Sequence, residues 1–414
     1  MAGLIKCDIA VIGAGVIGLT IAHRLALEGR EVVLIDPDDA GMGASYGNAG
    51  TVADYAVQPV GTPSVLAALP RLMFDRNAPL TIRAAALPAL APWLMRFARQ
   101  CLPAAARRNA LALANLVQDA QPRWAALADA IGGAQLLQHR GCLYLFEHAR
   151  DLRAAKADMA FRRDLGVAVE MLGADEVATL EPGLPPLGGG GAFFPDASFM
   201  VDPGAMVQRL ATAALAEGAG LLRGAVNMVS RGLDGMRLTG PGVLVHARRL
   251  VIAAGAHSRV FAAQAGDKIP LDTERGYHLE WDSPTLRLRR PSCPTARGFY
   301  LCPMQGRLRA AGTVELGGLS APPSPHRIAR IEAGARAFFP DLGPPSRSWM
   351  GFRPSMPDSL PVIGASQGGS DVLHAYGHGH IGLTLAPLTA EIIADIIVGR
   401  ESARDFSACS PRRF

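Results

Sequence analysis

Cys7-Asp8-Ile9-Ala10-Val11-Ile12-Gly13-Ala14-Gly15-Val16-Ile17-Gly18 opens the chain, and Val33-Leu34-Ile35-Asp36 closes the unit it begins. An apolar strand runs into a glycine turn, a helix follows through Leu19 to Leu27, and a second strand ends on an acid. Gly13 permits the tight turn, Gly15 lets the backbone approach a pyrophosphate, and Gly18 lets the helix pack close to the strand. The helix N-terminus, with Val16 and Ile17 in its first turn, then faces the phosphates, where unpaired N–H groups and the helix dipole favour negative charge. Asp36, eighteen residues after Gly18, is spaced to hold a ribose hydroxyl. The unit specifies a dinucleotide and leaves NAD and FAD equally open.

The 414 residues amount to two or three domains' worth of structure, and 49% hydrophobic content is ample for a buried core. Gly13, Gly15, Gly18, Arg24 and Glu28 interrupt the first apolar segment, so neither a signal peptide nor a membrane span is expected. A cytoplasmic location follows as the default. Six widely spaced cysteines without a CxxC pair argue against zinc, a redox disulfide or a disulfide framework. The net charge of +5 comes from 41 basic and 36 acidic residues, an imbalance too mild to indicate nucleic acid, for which no motif is present.

Residues 37–60 read as a glycine-rich loop able to lie against a flat ligand. From 82 to 131 the pattern is helical, with Leu87, Leu90, Trp93, Leu94 and Phe97 on one face and Arg96, Arg99, Arg107 and Arg108 nearby. Packing within the fold explains that face; a peripheral membrane contact also fits a basic, Trp-containing helix. A strand is expected over 141–146, a helix over 149–165 and a Gly/Pro connector over 182–195. Asp202-Pro203-Gly204 carries an N-cap and a first-turn proline ahead of a helix. Strand-like segments follow over 220–229, 235–239 and 243–246, then a buried strand that turns at Gly255. Alternation with many prolines over 263–345 suggests an antiparallel sheet.

The C-terminal part holds Gly351-Phe352-Arg353-Pro354 and Tyr376-Gly377-His378-Gly379-His380-Ile381-Gly382-Leu383-Thr384, followed by a helix from about 385 to 398. In their order along nearly the whole chain, these segments, the N-terminal glycines, Ser45 to Gly50, Val201 to Gly204 and Val251 to Ser258 resemble the FAD-dependent D-amino-acid oxidase superfamily, and within it the bacterial D-amino-acid dehydrogenases. The resemblance implies an α/β and α+β architecture. A discontinuous Rossmann-like FAD-binding domain (1–60, 198–262 and 346–414) is interleaved with a substrate domain built on an antiparallel sheet (61–197 and 263–345).

The same resemblance implies noncovalent FAD, with Gly13, Gly15, Val16, Ile17, Gly18 and Asp36 at the adenosine and pyrophosphate end. Ser45, Gly47, Asn48, Ala49 and Gly50 would line the pyrophosphate and ribityl region, the Val226 backbone the adenine edge, and Gly255 a second turn. Gly377, Gly379, His380, Ile381, Gly382, Leu383 and Thr384 would aim a helix N-terminus at the flavin, where its positive end favours an anionic reduced ring. Arg353 would grip a substrate α-carboxylate through two parallel hydrogen bonds, with Tyr277, His278 and His380 as further catalytic candidates. His374, His378 and His380 invite a metal reading, but no carboxylate or thiolate partner is evident nearby in the sequence, so no metal is expected. The implied reaction is dehydrogenation of a D-amino acid, with D-proline and cis-4-hydroxy-D-proline among the candidates, to an imino acid by hydride transfer to flavin N5, electrons passing to a quinone or other acceptor. An oxygen-using oxidase and a noncatalytic flavin-binding subunit of a larger complex are the alternatives, and an oligomer is open.

Overall fold

In the computed structural model, which describes residues 3–75, 78, 80–283 and 285–414, the opening unit is strand Ile5–Ile12, helix Val16–Leu27 and strand Val32–Asp36. The two strands are parallel, with Ile9 opposite Val32 and Ile12 opposite Ile35. Across this sheet the order is Gly220–Arg223, Val32–Asp36, Ile5–Ile12, Val243–Ile252 and Gly369–Tyr376, all parallel. Val362–Ser366 adds an antiparallel edge. Alternation divides the strand residues between two layers. Ile9 and Val11 join Leu19, Leu25, Leu210 and Ile393 beneath the helices, while Ala10 and Ile12 join Leu238, Leu250 and Phe261 on the other face. Each fully buried Leu or Ile here contributes about 1.5–3 kcal/mol.

Several sequence expectations change. The segments 243–246 and 250–255 form one ten-residue strand, Val243–Ile252, whose first half pairs with Gly235–Gly240 and whose second half pairs with Gly369–Tyr376. The 220–229 segment breaks into Gly220–Arg223 and Met228–Gly232. Part of the expected 182–195 connector is strand Gly190–Phe194, which pairs antiparallel with Cys142–Phe146; its glycines reflect crowding, since a Cβ at Gly191 would meet the Tyr144 carbonyl at 2.9 Å. The 82–131 region forms helices Leu87–Gln100, Pro103–Val117 and Ala120–Ala130, and Leu90, Trp93 and Phe97 are buried.

Among the described residues the second sheet has nine strands, including Arg347–Ser355, Asp272–Asp282, Arg307–Leu316, Phe299–Met304 and Cys142–Phe146. It is mixed rather than purely antiparallel: Ser292–Pro294 runs parallel to Cys142–Phe146, and Leu80–Ile82 parallel to Arg307–Leu316. Tyr277, Leu279, Trp281, Leu301 and Ala310 form its outer layer with Ile331, Ala335 and Phe338 of helix Pro325–Phe338. Strand Arg347–Ser355 belongs to this sheet, paired with Asp272–Asp282.

The last helix starts at Gly382, three residues before its expected start, and contains Pro387. Pro387 has no N–H for the Leu383 carbonyl. The Trp124 indole N–H donates to that carbonyl instead, at 2.7 Å, so the helix keeps its first turn without a stranded acceptor.

Candidate active site

The first glycine turn is fixed by contact as well as by conformation. Gly13 has φ +105, and a Cβ there would lie 2.4 Å from the Ala253 carbonyl oxygen; a Cβ on Gly18 would lie 1.9 Å from the Gly13 oxygen. The turns at Gly13 and Ala253–Gly255 are thereby packed together at the ends of adjacent parallel strands. Gly15 differs. A Cβ there would meet only the Ser45 hydroxyl, at 3.3 Å, and Gly43 and Gly255 face open space. The Val16 N–H donates to Ser45 Oγ at 2.9 Å, which puts a polar group at the helix N-terminus. The Asp36 carboxylate accepts from the Ala14 N–H at 2.7 Å and from the Asp38 N–H at 2.9 Å; burial pushes its pKa up. Gly224 N–H bonds the Asp36 carbonyl at 2.8 Å, bringing the segment that carries Val226 beside the acid. A helix N-terminus, glycines that leave approach space and a strand-end acid fit the adenosine-diphosphate half of FAD.

The loop Ser45–Gly50 is held by the second sheet. Arg309, fully buried, donates to the Tyr46 and Asn48 carbonyls at 3.1 and 2.7 Å, and His278 Nδ1 donates to the Gly47 carbonyl at 3.0 Å. Asn48 closes the loop on itself, accepting from the Gly50 N–H and donating to the Ser45 carbonyl, each at 2.6 Å. Ala49 lies between these anchors. Arg309 also donates to Glu280 at 2.8 Å, joined there by Arg307 at 3.0 Å. Burial pushes the Glu280 carboxyl up, but the two arginines outweigh it and hold it at about 2. Burial and Arg309 together hold His278 down at about 4, so its neutral ring is a loop anchor, stacked on Trp349 at 5.1 Å between centroids.

Tyr277 and His278 cannot serve one ligand from adjacent positions of a strand, because successive side chains point to opposite faces. Tyr277 lies in the outer apolar layer, with its hydroxyl donating to Glu315 at 3.1 Å and accepting from the Ser324 N–H at 3.1 Å. It therefore leaves the candidate site. The inward face carries Glu274, Gly276, His278 and Glu280. Residues directly opposite one another share that face, so the register extends it through Trp349, His278, Ala311 and Tyr300 in one row. The Tyr300 hydroxyl donates to Tyr144 Oη at 3.2 Å and lies 3.3 Å from Tyr55 Oη.

Arg353 stands directly across from Glu274 in the paired strands. Its Nη1 donates to the Thr313 carbonyl at 3.1 Å. The guanidinium occupies the space above Gly276, where a Cβ would lie 2.4 Å from Cζ. Burial lowers its pKa while Glu274 raises it. Thr313 has φ +57, rare for a β-branched residue, at the point where the register with Asp272–Asp282 slips between Arg275 and Tyr277. That bulge turns the Thr313 carbonyl toward Arg353, a local strain of about 1–3 kcal/mol.

The turn before the last helix closes the site. Gly377 and Gly379 have φ +81 and +55, and the Gly379 N–H donates to the Pro354 carbonyl at 2.8 Å, tying the turn to the strand that carries Arg353. Ile381 accepts the Leu385 N–H at 2.9 Å as the helix begins, and Thr384 Oγ1 accepts from the Ala53 N–H at 2.9 Å. The three histidines do take polar partners, two of them carboxylates from distant segments. His374 pairs with Asp267 at 2.7 Å, His378 with Thr389 at 3.0 Å, and His380 with Glu274 at 2.6 Å. Three separate partners divide the rings. Burial holds His378 at about 3, a neutral support behind the turn, and only His380 among them is exposed.

Sequence reading missed Glu274, Thr313, Tyr300 and Arg309. Strict alternation along Asp272–Asp282, anchored on His278, was the available signal for Glu274. The bulge at Thr313 leaves no compositional mark.

Residues 8–396 match the family described as FAD dependent oxidoreductase. The chain is 35% identical to a D-amino-acid oxidase of Bradyrhizobium diazoefficiens, covering 98% of each chain. It is 30% identical to a D-amino acid dehydrogenase of Rhizorhabdus wittichii, covering 95% of this chain and 97% of the other. In three dimensions it is similar to glycine oxidase from Geobacillus kaustophilus, with a TM-score of 0.79, 24% identity and 99% of each chain covered.

Proposed function

The chain belongs to the FAD-dependent oxidoreductase family, and from that premise we propose that it oxidises a D-amino acid to the imino acid, with the electrons passing to a quinone or another acceptor. One observation carries the reading: Arg353, on the inward face of the second sheet, lies over Gly276 and beside the glycine turn of the last helix. Bound FAD supplies the hydride acceptor. Gly13, Gly15, Val16, Ile17, Gly18 and Asp36 would hold its adenosine and pyrophosphate, with Val226 and Gly255 beside them. Ser45, Gly47, Asn48, Ala49 and Gly50 would line the middle. Gly377, Gly379, His380, Ile381, Gly382, Leu383 and Thr384 would present the positive helix end to the ring, noncovalently.

Arg353 would clamp the α-carboxylate and so fix the Cα–H, a positioning effect that can supply much of a barrier's reduction. Tyr300 would close the far side of the substrate space. The D configuration is supported by relatives named for D-amino acids. D-proline and its 4-hydroxy derivative remain candidate substrates within that class.

An oxygen-using oxidase is the second reading, favoured by the 35% relative that bears that name. Mixing the reduced protein with oxygen and, separately, with a quinone analogue divides the two: rapid reoxidation by oxygen with stoichiometric peroxide would overturn the dehydrogenase. Leu90, Trp93 and Phe97, the apolar face expected to offer a membrane contact, are packed inside. No helix among the described residues is long and apolar enough to cross a membrane.

A further inference from the structure

A buried carboxylate beside a carboxylate-binding arginine needs a purpose, since it opposes the anion that the arginine is there to bind. Glu274 is 3% exposed and sits directly across the strand pair from Arg353. One oxygen accepts from His380 Nε2 at 2.6 Å. Burial alone would push the carboxyl up, but His380 and Arg353 outweigh it and hold it below the usual carboxylate range, so Glu274 is a fixed negative charge.

Cross-strand neighbours have Cβ atoms about 4.5–5.5 Å apart, so the two side-chain charges can converge on the adjacent carboxylate and ammonium of one α-amino acid. His380 has its Nε2 committed to Glu274, and its Nδ1 makes no hydrogen bond among the described residues, while the side chain is 41% exposed. Given the D-amino-acid reading above, we propose that Glu274 receives the α-ammonium of the substrate, with His380 holding the Glu274 carboxylate in place.

Glu274 would touch the substrate directly, and the hydrogen bond from His380 Nε2 fixes the orientation of its carboxylate.

The test separates this assignment from the reading it rests on by using ligands that cannot be oxidised. 2-Aminoisobutyrate has no Cα–H, and pivalate replaces its ammonium by a methyl group of similar size. Their dissociation constants for the FAD-loaded protein are measured from the perturbation of the flavin spectrum, for the wild type and for Glu274→Gln. The wild type is expected to prefer 2-aminoisobutyrate, and Glu274→Gln to lose about ten- to hundredfold of that preference while binding pivalate at least as well. An unchanged preference in Glu274→Gln, or no preference in the wild type, overturns the assignment whatever the protein oxidises.

Flavin content and thermal midpoint close to wild type would show that the substitution has not unfolded the site.

Discussion

Gly276→Ala isolates the Arg353 guanidinium without removing it. The added Cβ would lie 2.4 Å from Cζ, 2.4 Å from Nη1 and 2.5 Å from Nη2, where carbon contacts are ordinarily about 3.5–4.0 Å. The guanidinium must therefore withdraw by roughly 1 Å. It is the far end of a flexible side chain, so the strand can keep its pairing, and the stability cost should stay at the low end of about 1–3 kcal/mol for an overpacked site. The functional cost should be larger, because misplacing a substrate-orienting group by about 1 Å can cost about 10²-fold. The assay is kcat/KM with a D-amino acid together with pivalate affinity and the urea midpoint. Both activity and pivalate binding should fall far more than stability. Unchanged pivalate affinity in a folded, flavin-loaded Gly276→Ala protein would refute the claim that Arg353 holds carboxylates from this position.

Other substitutions probe the supporting structure. Ser45→Ala removes the acceptor of the Val16 N–H and should cost about 0.5–2 kcal/mol, as for loss of a helix cap, measurable in denaturant titration and as weaker FAD retention. Glu280→Gln leaves Arg307 and Arg309 facing a neutral group and should destabilise by roughly 3–5 kcal/mol, with release of the Ser45–Gly50 loop seen as faster proteolysis there. The Glu280 pKa is depressed to about 2 when folded, so its contribution is present above the unfolded value of about 4.3 and is lost as pH falls from about 4 to 2; the acid midpoint should shift in Glu280→Gln. His378 stays neutral when folded to about pH 3 but binds a proton near 6.5 when unfolded, so stability should decline as pH falls through that interval, and less so in His378→Gln.

The first strand, helix and acid were legible because each glycine answers a local requirement that sequence spacing preserves. Arg353 was singled out differently, through the family resemblance carried by the short contiguous segment Gly351 to Pro354. Glu274 was not singled out, although it stands two residues from Gly276, because its meaning depends on His380 and Arg353, which reach it only through tertiary contact. Tyr277 was misread because its side chain was considered apart from the strand's period, which sends it into the apolar layer while His278 points inward. Thr313 was invisible in principle: its carbonyl acts through a register slip created by the pairing of Asp272–Asp282 with Arg307–Leu316, and no feature of Ala310-Ala311-Gly312-Thr313 announces it.

The most direct test of the whole account is anaerobic addition of a panel of D-amino acids, cyclic amines included, to the purified FAD-loaded protein while its visible absorbance is recorded. At least one D-amino acid should bleach the bound flavin, and its L-enantiomer should do so far more slowly. An oxidised spectrum that persists across the whole panel would contradict it.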